Sequence, residues 1–133
     1  MRVFVDTNIF LDILFKREFY EDSLAVLNAC LDDIFEGYVC DITLLNIDYI
    51  ASKQSKDVKK FLKIINSSFQ VVGANNDIFD NAFKIDNDDL EDSVQYICAL
   101  KAKCDVIVTN DNGFIKGEIE VLNPQKVMKL ISK

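Results

Sequence analysis

Short apolar runs and longer stretches of helical periodicity take turns along the chain. Val3, Phe4 and Val5 form an uninterrupted apolar run, read as a buried strand over residues 2–5. A helical stretch follows near 8–15, then another near 18–35 in which Leu24, Leu27, Leu31 and Ile34 recur at helical spacing, with Gly37 as the expected stop. "GYVCDI" reads as a second strand. It leads into a helix over "TLLNIDYIASK" and a further one whose Val58, Phe61, Leu62 and Ile65 share a face. "FQVVGA" is the third strand, residues 76–84 a helix, and "DDLEDSVQYICALKAK" a longer helix with Val94, Ile97, Cys98 and Lys101 at i, i+3, i+4, i+7 spacing. "DVIVTND" and "EIEVLN" supply two more strands. The final helix opens with Asn123 as cap and Pro124 at its first position. This alternation predicts an α/β/α sandwich in three layers around a mostly parallel sheet, with residues 1–133 folding as a single domain.

Composition narrows the chemistry. Half of the 133 residues are hydrophobic and ten are Phe, enough for a substantial core. No apolar run approaches the ~18 residues of a membrane-spanning helix, and Met-Arg runs straight into a strand instead of a signal peptide, so a cytoplasmic protein with no membrane partner is expected. Cys30, Cys40, Cys98 and Cys104 include no C-x-x-C pair and read as small buried thiols in a reducing compartment. The chain has no His, which removes the usual general base along with Ser-His-Asp and Cys-His arrangements. Catalysis would have to rest on carboxylates, metals or Lys. A formal charge of −7 argues against a generic basic nucleic-acid surface while leaving room for a metal-dependent enzyme.

The acids are not scattered evenly. Residues 77–92 hold seven of them against the single Lys84. In an open parallel sheet a ligand site lies beyond the carboxyl ends of the strands. "VFVDTN" and "VIVTND" both run from strand to polar residues, so Asp6 and Asp111 would emerge at that edge if their strands are neighbours. In "DDLED", Asp88 and Asp92 are four apart and Asp89 and Asp92 three apart, which places each pair on one helix face, where like charges repel and call for something positive. Structural readings compete with this one. Asp6 could cap the helix after it, Asp88, Asp89 and Glu91 could favour a helix N-terminus, and Asp111 could belong to a turn with Asn110, Asn112 and Gly113. None of those readings predicts that the acids converge.

"VFVDTNIFLDIL", "KREFYEDSLAVL", "DLEDSVQYICALKAKCDVIVTND" and "GF" together resemble a PIN domain of the kind found in VapC-type toxins, over Arg2 to about Leu122. The resemblance implies a compact α/β/α sandwich and a Mg²⁺- or Mn²⁺-dependent ribonuclease whose active site is a cluster of three or four acids. It also implies an antitoxin protein as partner, and leaves the oligomeric state open, a homodimer included. Carried over residue by residue, Asp6 is the first-strand acid, Asp92 the helix acid of the "ED" pair and Asp111 the acid after "VTN", with Asp89 as a helper at the metal. The family usually has a Glu in a T-L-x-E pattern after the second strand, whereas "TLLN" here gives Asn46, and Asp48 is two residues on and points away.

These residues suit phosphodiester hydrolysis. Oxygen-only ligands favour a hard ion, which can activate water and shield a phosphate from the acids. Thr7, Asn8, Asn46, Thr109 and Asn110 are placed to orient waters or phosphate oxygens. Lys16, Arg17 and the run Lys53, Lys56, Lys59 and Lys60 are candidates for the RNA backbone. The alternative reading is a catalytically weak or inactive RNA-binding or regulatory module of the same fold, kept open by Asn46. A receiver domain would need an acid pair after the first strand, and a haloacid-dehalogenase-type phosphatase a D-x-D there; "DTN" supplies neither.

Overall fold

The computed structural model describes residues 1–54 and 57–131. The strands are β1 (Arg2–Val5), β2 (Glu36–Cys40), β3 (Gln70–Val72), β4 (Val106–Val108) and β5 (Glu120–Leu122). All four pairings between them are parallel, in the order β3-β2-β1-β4-β5. The helices are α1 (Thr7–Leu14), α2 (Tyr20–Leu31), α3 (Asp41–Lys53), α4 (Lys59–Ser68), α5 (Asn76–Phe83), α6 (Leu90–Lys101) and α7 (Pro124–Lys129).

Side chains alternate across a strand, so β1 feeds both faces of the sheet. Val3 and Val5 join Phe10, Val26, Ile47, Ile65 and Val127 from α1, α2, α3, α4 and α7. Phe4 joins Ile107, Ile78, Val94 and Cys98, the last three from α5 and α6. Parallel crossovers are right-handed, so connections running outward through β2 and β3 lay helices on one face, and the return to β4 lays its helices on the other. Three layers result. The buried stretch of α6 runs unbroken from Asp92 to Ala99, which makes it the most enclosed helix on its side. The four thiols are buried and free; burial pushes Cys30 and Cys104 up to about 12, far from the reactive thiolate range.

Element types and order follow the sequence reading, with one displaced boundary. The long helix does not run on to Gly37. It ends at Leu31, and Asp33 turns the chain in the left-handed region (φ 59°), its N–H reaching the Cys30 carbonyl while Ile34 N–H reaches Ala29 O. That pair of hydrogen bonds satisfies the last carbonyls of a helix without glycine. Gly37 lies inside β2 instead, where a Cβ would come within 2.6 Å of the Phe69 ring. Asn123 caps α7 by accepting from Lys126 N–H at 2.8 Å, with Pro124 at the first position, as expected. Lys56 lies outside the described residues.

Candidate active site

β1 and β4 are neighbours, and between them the chain's progress across the sheet reverses direction. Asp6 N–H donates to Val108 O at 3.0 Å, so the first residue past β1 is pinned against the end of β4. The crevice beyond these two carboxyl ends is where parallel sheets bind ligands. A cleft of about 360 Å³, room for roughly a dozen waters, opens there, lined among others by Asp6, Asp89, Glu91, Asp92, Asp111 and Asn46.

Asp6 precedes α1 but does not cap it; no side-chain cap bond forms. Its carboxylate is drawn inward instead, where Oδ1 accepts from Gln95 Nε2 at 2.9 Å and Oδ2 from Thr109 Oγ1 at 2.6 Å. Only 3% of the residue is exposed. Burial raises its pKa to about 6, outweighing the two bonds, which favour the charged form. Asp92, in the first turn of α6, is also buried, and desolvation followed by the charges of Asp6, Asp89, Asp111 and Glu91 raises it to about 7. The expected convergence of acids is therefore felt electrostatically at Asp92.

Two of the structural readings hold alongside the site. Asp89 is the N-cap of α6, accepting from Asp92 N–H at 3.1 Å, and Asp111 Oδ1 accepts from Gly113 N–H at 2.8 Å in a tight turn. Both still line the cleft. Thr7, Asn8 and Asn46 line it too. Thr109 lies beneath it, buried, and Asn110 turns away: its Nδ2 donates to Asp12 Oδ2 at 2.6 Å and to Ser23 Oγ at 3.1 Å, so its amide clamps α1 and α2 and is not free to orient a phosphate. Asp48 is exposed and outside the cleft.

No Lys or Arg is among the described lining residues, so the positive charge that clustered acids call for is not supplied from the cleft wall. Arg17 pairs with Asp12, and Lys53 Nζ sits 4.2 Å from the centroid of the Tyr49 ring. The donor set, carboxylates with amides and hydroxyls, fits a hard divalent cation chemically. Among the described residues, no three His, Cys, Asp or Glu side chains stand together as a ready-made cage. The acids share a cleft, and binding an ion would require them to draw in. No described helix is long and apolar enough to cross a membrane.

Sequence reasoning passed over Glu91, taken only as a helix-start acid, and Gln95. Thr7 Oγ1 donates to Glu91 Oε2 at 2.8 Å, and Gln95 Nε2 reaches the same oxygen at 3.4 Å. Gln95 Oε1 is buried and finds no hydrogen-bond partner among the described residues. The signal was spacing: Gln95 is three residues after Asp92 and four after Glu91, a polar residue on the acids' own helix face.

A PIN domain family profile matches residues 2–113. Ribonuclease VapC1 of Aquifex aeolicus (strain VF5) is 29% identical over 136 aligned residues, covering 94% of this chain and 92% of the relative. Among solved structures, a toxin-antitoxin complex from Klebsiella pneumoniae superposes with a TM-score of 0.67 at 19% identity, over 92% of this chain and 97% of the other. VapBC2 from Rickettsia felis, bound to a promoter DNA fragment, gives 0.66 at 16% identity, over 92% and 98%. At those identities the two structures speak for the fold alone.

Proposed function

The chain belongs to the PIN domain family, and on that footing we propose that it is a metal-dependent endoribonuclease, the toxin of a toxin-antitoxin pair. The observation that carries this reading is the five-carboxylate cleft at the β1/β4 switch point with no cation in its described lining. A ribonuclease relative matching nearly end to end supports the reaction; the partner rests on the sequence resemblance to VapC-type toxins, and the two solved toxin-antitoxin structures add only that the fold is the same.

Asp6, Asp92 and Asp111, with Asp89 beside them, would hold Mg²⁺ or Mn²⁺, which when bound supplies an acidified water and a counter-charge to the scissile phosphate. The chain's own residues do the positioning. Thr109 and Gln95 fix both oxygens of Asp6, Thr7 commits its hydroxyl to Glu91, and Asn8 and Asn46 offer neutral polar groups to waters and phosphate oxygens along the wall. RNA adds negative charge to a protein already at −7, so productive binding depends on the divalent ion and weakens with salt. An antitoxin could block the cleft with an inserted Arg or Lys, which would meet the carboxylates and exclude the ion and the substrate together.

The test is cleavage of RNA by the purified chain with Mg²⁺ or Mn²⁺ and with chelator. Metal-dependent cleavage, inhibited by the co-expressed partner, is the expected result. RNA binding without cleavage under any metal would favour the second reading, a non-catalytic RNA-binding module, for which the neutral Asn46 on the cleft wall is the specific observation.

A further inference from the structure

The cleft receives only an amide from α3 at Asn46, yet α3 is tied to it in another way. Thr43, one turn before Asn46 and fully buried, shares a 2.8 Å hydrogen bond with Thr7 Oγ1, and Thr7 Oγ1 donates to Glu91 Oε2 at 2.8 Å. Thr7 has one hydroxyl proton, committed to Glu91, so Thr43 is the donor in the first bond. The result is a directed chain of hydroxyls from α3 through the start of α1 to a single carboxylate oxygen.

The other support is Gln95. Its Nε2 carries two protons and reaches two carboxylates, Asp6 Oδ1 at 2.9 Å and Glu91 Oε2 at 3.4 Å. Flipping the amide would give its buried Oε1 a new setting but would aim a carbonyl at two anions. The observed orientation leaves Oε1 without a partner among the described residues and presents both protons to the acids. A helix-start Glu that served only the macrodipole would extend into water. Glu91 is half-buried, held from two sides by buried neutral donors and turned into the same cleft as Asp6 and Asp92.

We propose that Glu91 is a further metal-site acid of this chain, held in place by Thr7, Thr43 and Gln95 as the carboxylate that α3 does not provide. The proposal rests on the metal-dependent reading above. Glu91 would supply a hard oxygen to a divalent cation beside Asp6 and Asp92, and the neutral donors fix its direction without neutralising it, which a Lys or Arg partner would do.

The experiment is Mn²⁺ binding to the intact chain, read by the electron paramagnetic resonance signal of free Mn²⁺, in wild type, Glu91→Gln, Asn46→Glu and the double variant. Glu91→Gln keeps the side-chain length and is expected to weaken Mn²⁺ binding at least about tenfold with the circular dichroism spectrum unchanged. Adding Asn46→Glu to it is expected to restore binding to within about threefold of wild type. Glu91→Gln that folds and binds Mn²⁺ as tightly as wild type overturns the proposal and makes Glu91 a structural tether, leaving the ribonuclease reading standing. Should Glu91→Gln unfold, Asn46→Glu alone decides: a site already served by Glu91 gains less than about threefold, and a gain of tenfold or more means the acid was missing. Wild type that binds no Mn²⁺ removes both the proposal and the reading beneath it.

Discussion

Thr109 Oγ1 donates to Asp6 Oδ2 at 2.6 Å and itself accepts from Asp111 N–H at 3.0 Å. One buried hydroxyl thus ties the acid beyond β1 to the backbone of the acid beyond β4. The link crosses the point where strand order reverses, so the cleft's geometry depends on a side chain that does not itself line it.

Thr109→Val keeps the shape and removes both bonds. It leaves a buried Asp6 oxygen and the Asp111 N–H without that partner, a loss of about 1–3 kcal/mol in unfolding free energy. Thr109→Ser retains the hydroxyl and is expected to stay within about 1 kcal/mol of wild type. Urea denaturation of the two variants checks this, and equal stabilities would mean the hydroxyl is dispensable.

The raised acids set a pH dependence. Folded Asp6 and Asp92 hold protons to about 6 and about 7 against a reference of 3.8, so the folded state binds more protons than the unfolded chain across that interval. Their contribution to stability is complete below the reference value and is lost as pH rises to about 7. Without divalent ions the melting temperature is therefore expected to fall between pH 5 and 7.5, and Asp92→Asn to flatten the decline. Millimolar Mg²⁺ or Mn²⁺ should raise it at pH 7.5 by mass action on a folded-state site, more than at pH 5, where protons compete. Calorimetric scans at the two pH values, with and without the ion, measure all of these differences.

What the sequence made legible was whatever local pattern decides. Apolar runs placed the strands, and the shared strand-then-acid form of "VFVDTN" and "VIVTND" put Asp6 and Asp111 at one edge, which the β1/β4 pairing bears out. Patterns went silent where tertiary partners choose between two uses of one residue. Asp6 has the chemistry of a cap, and only the presence of Thr109 and Gln95 at the end of a neighbouring strand and on a helix draws it inward. Asn110 looked like a ligand-binding amide until Asp12 and Ser23 claimed it. Gly37 read as a stop because helices usually end in glycine; here the crowding of Phe69 fixes it in a strand, and an Asp takes the left-handed turn.

That turn has two counterparts, Lys16 (φ 49°) after α1 and Lys103 (φ 57°) after α6. At Lys103 the chain makes the same pair of bonds, Lys103 N–H to Leu100 O and Cys104 N–H to Ala99 O. A side chain in this region costs about 1–2 kcal/mol, partly offset by the greater freedom glycine gives the unfolded chain. Lys103→Gly is accordingly expected to stabilise the protein by roughly 0.5–1 kcal/mol. Chemical denaturation reads the sign; a destabilised variant would mean that the Lys103 side chain does something its backbone does not require.

Asp6→Asn separates stability from function. The amide oxygen can accept from Gln95 as Oδ1 does, and the Thr109 hydroxyl, free to rotate, can accept from the new NH₂ group in place of donating. No core volume changes, and a buried charge disfavoured by desolvation is removed. Folding stability at pH 7.5 is thus expected to equal or exceed that of wild type, and the dependence on pH to shrink. Metal binding and cleavage should go the other way, since the substitution removes the acid best fixed in the cleft: Mn²⁺ affinity lower by at least about tenfold, and RNA cleavage lost to background. Measured together on one preparation, a stable fold with no cleavage locates the chemistry at Asp6. A variant as active as wild type would remove Asp6 from the site, and with it the reading of the β1/β4 cleft as the place where RNA is cut.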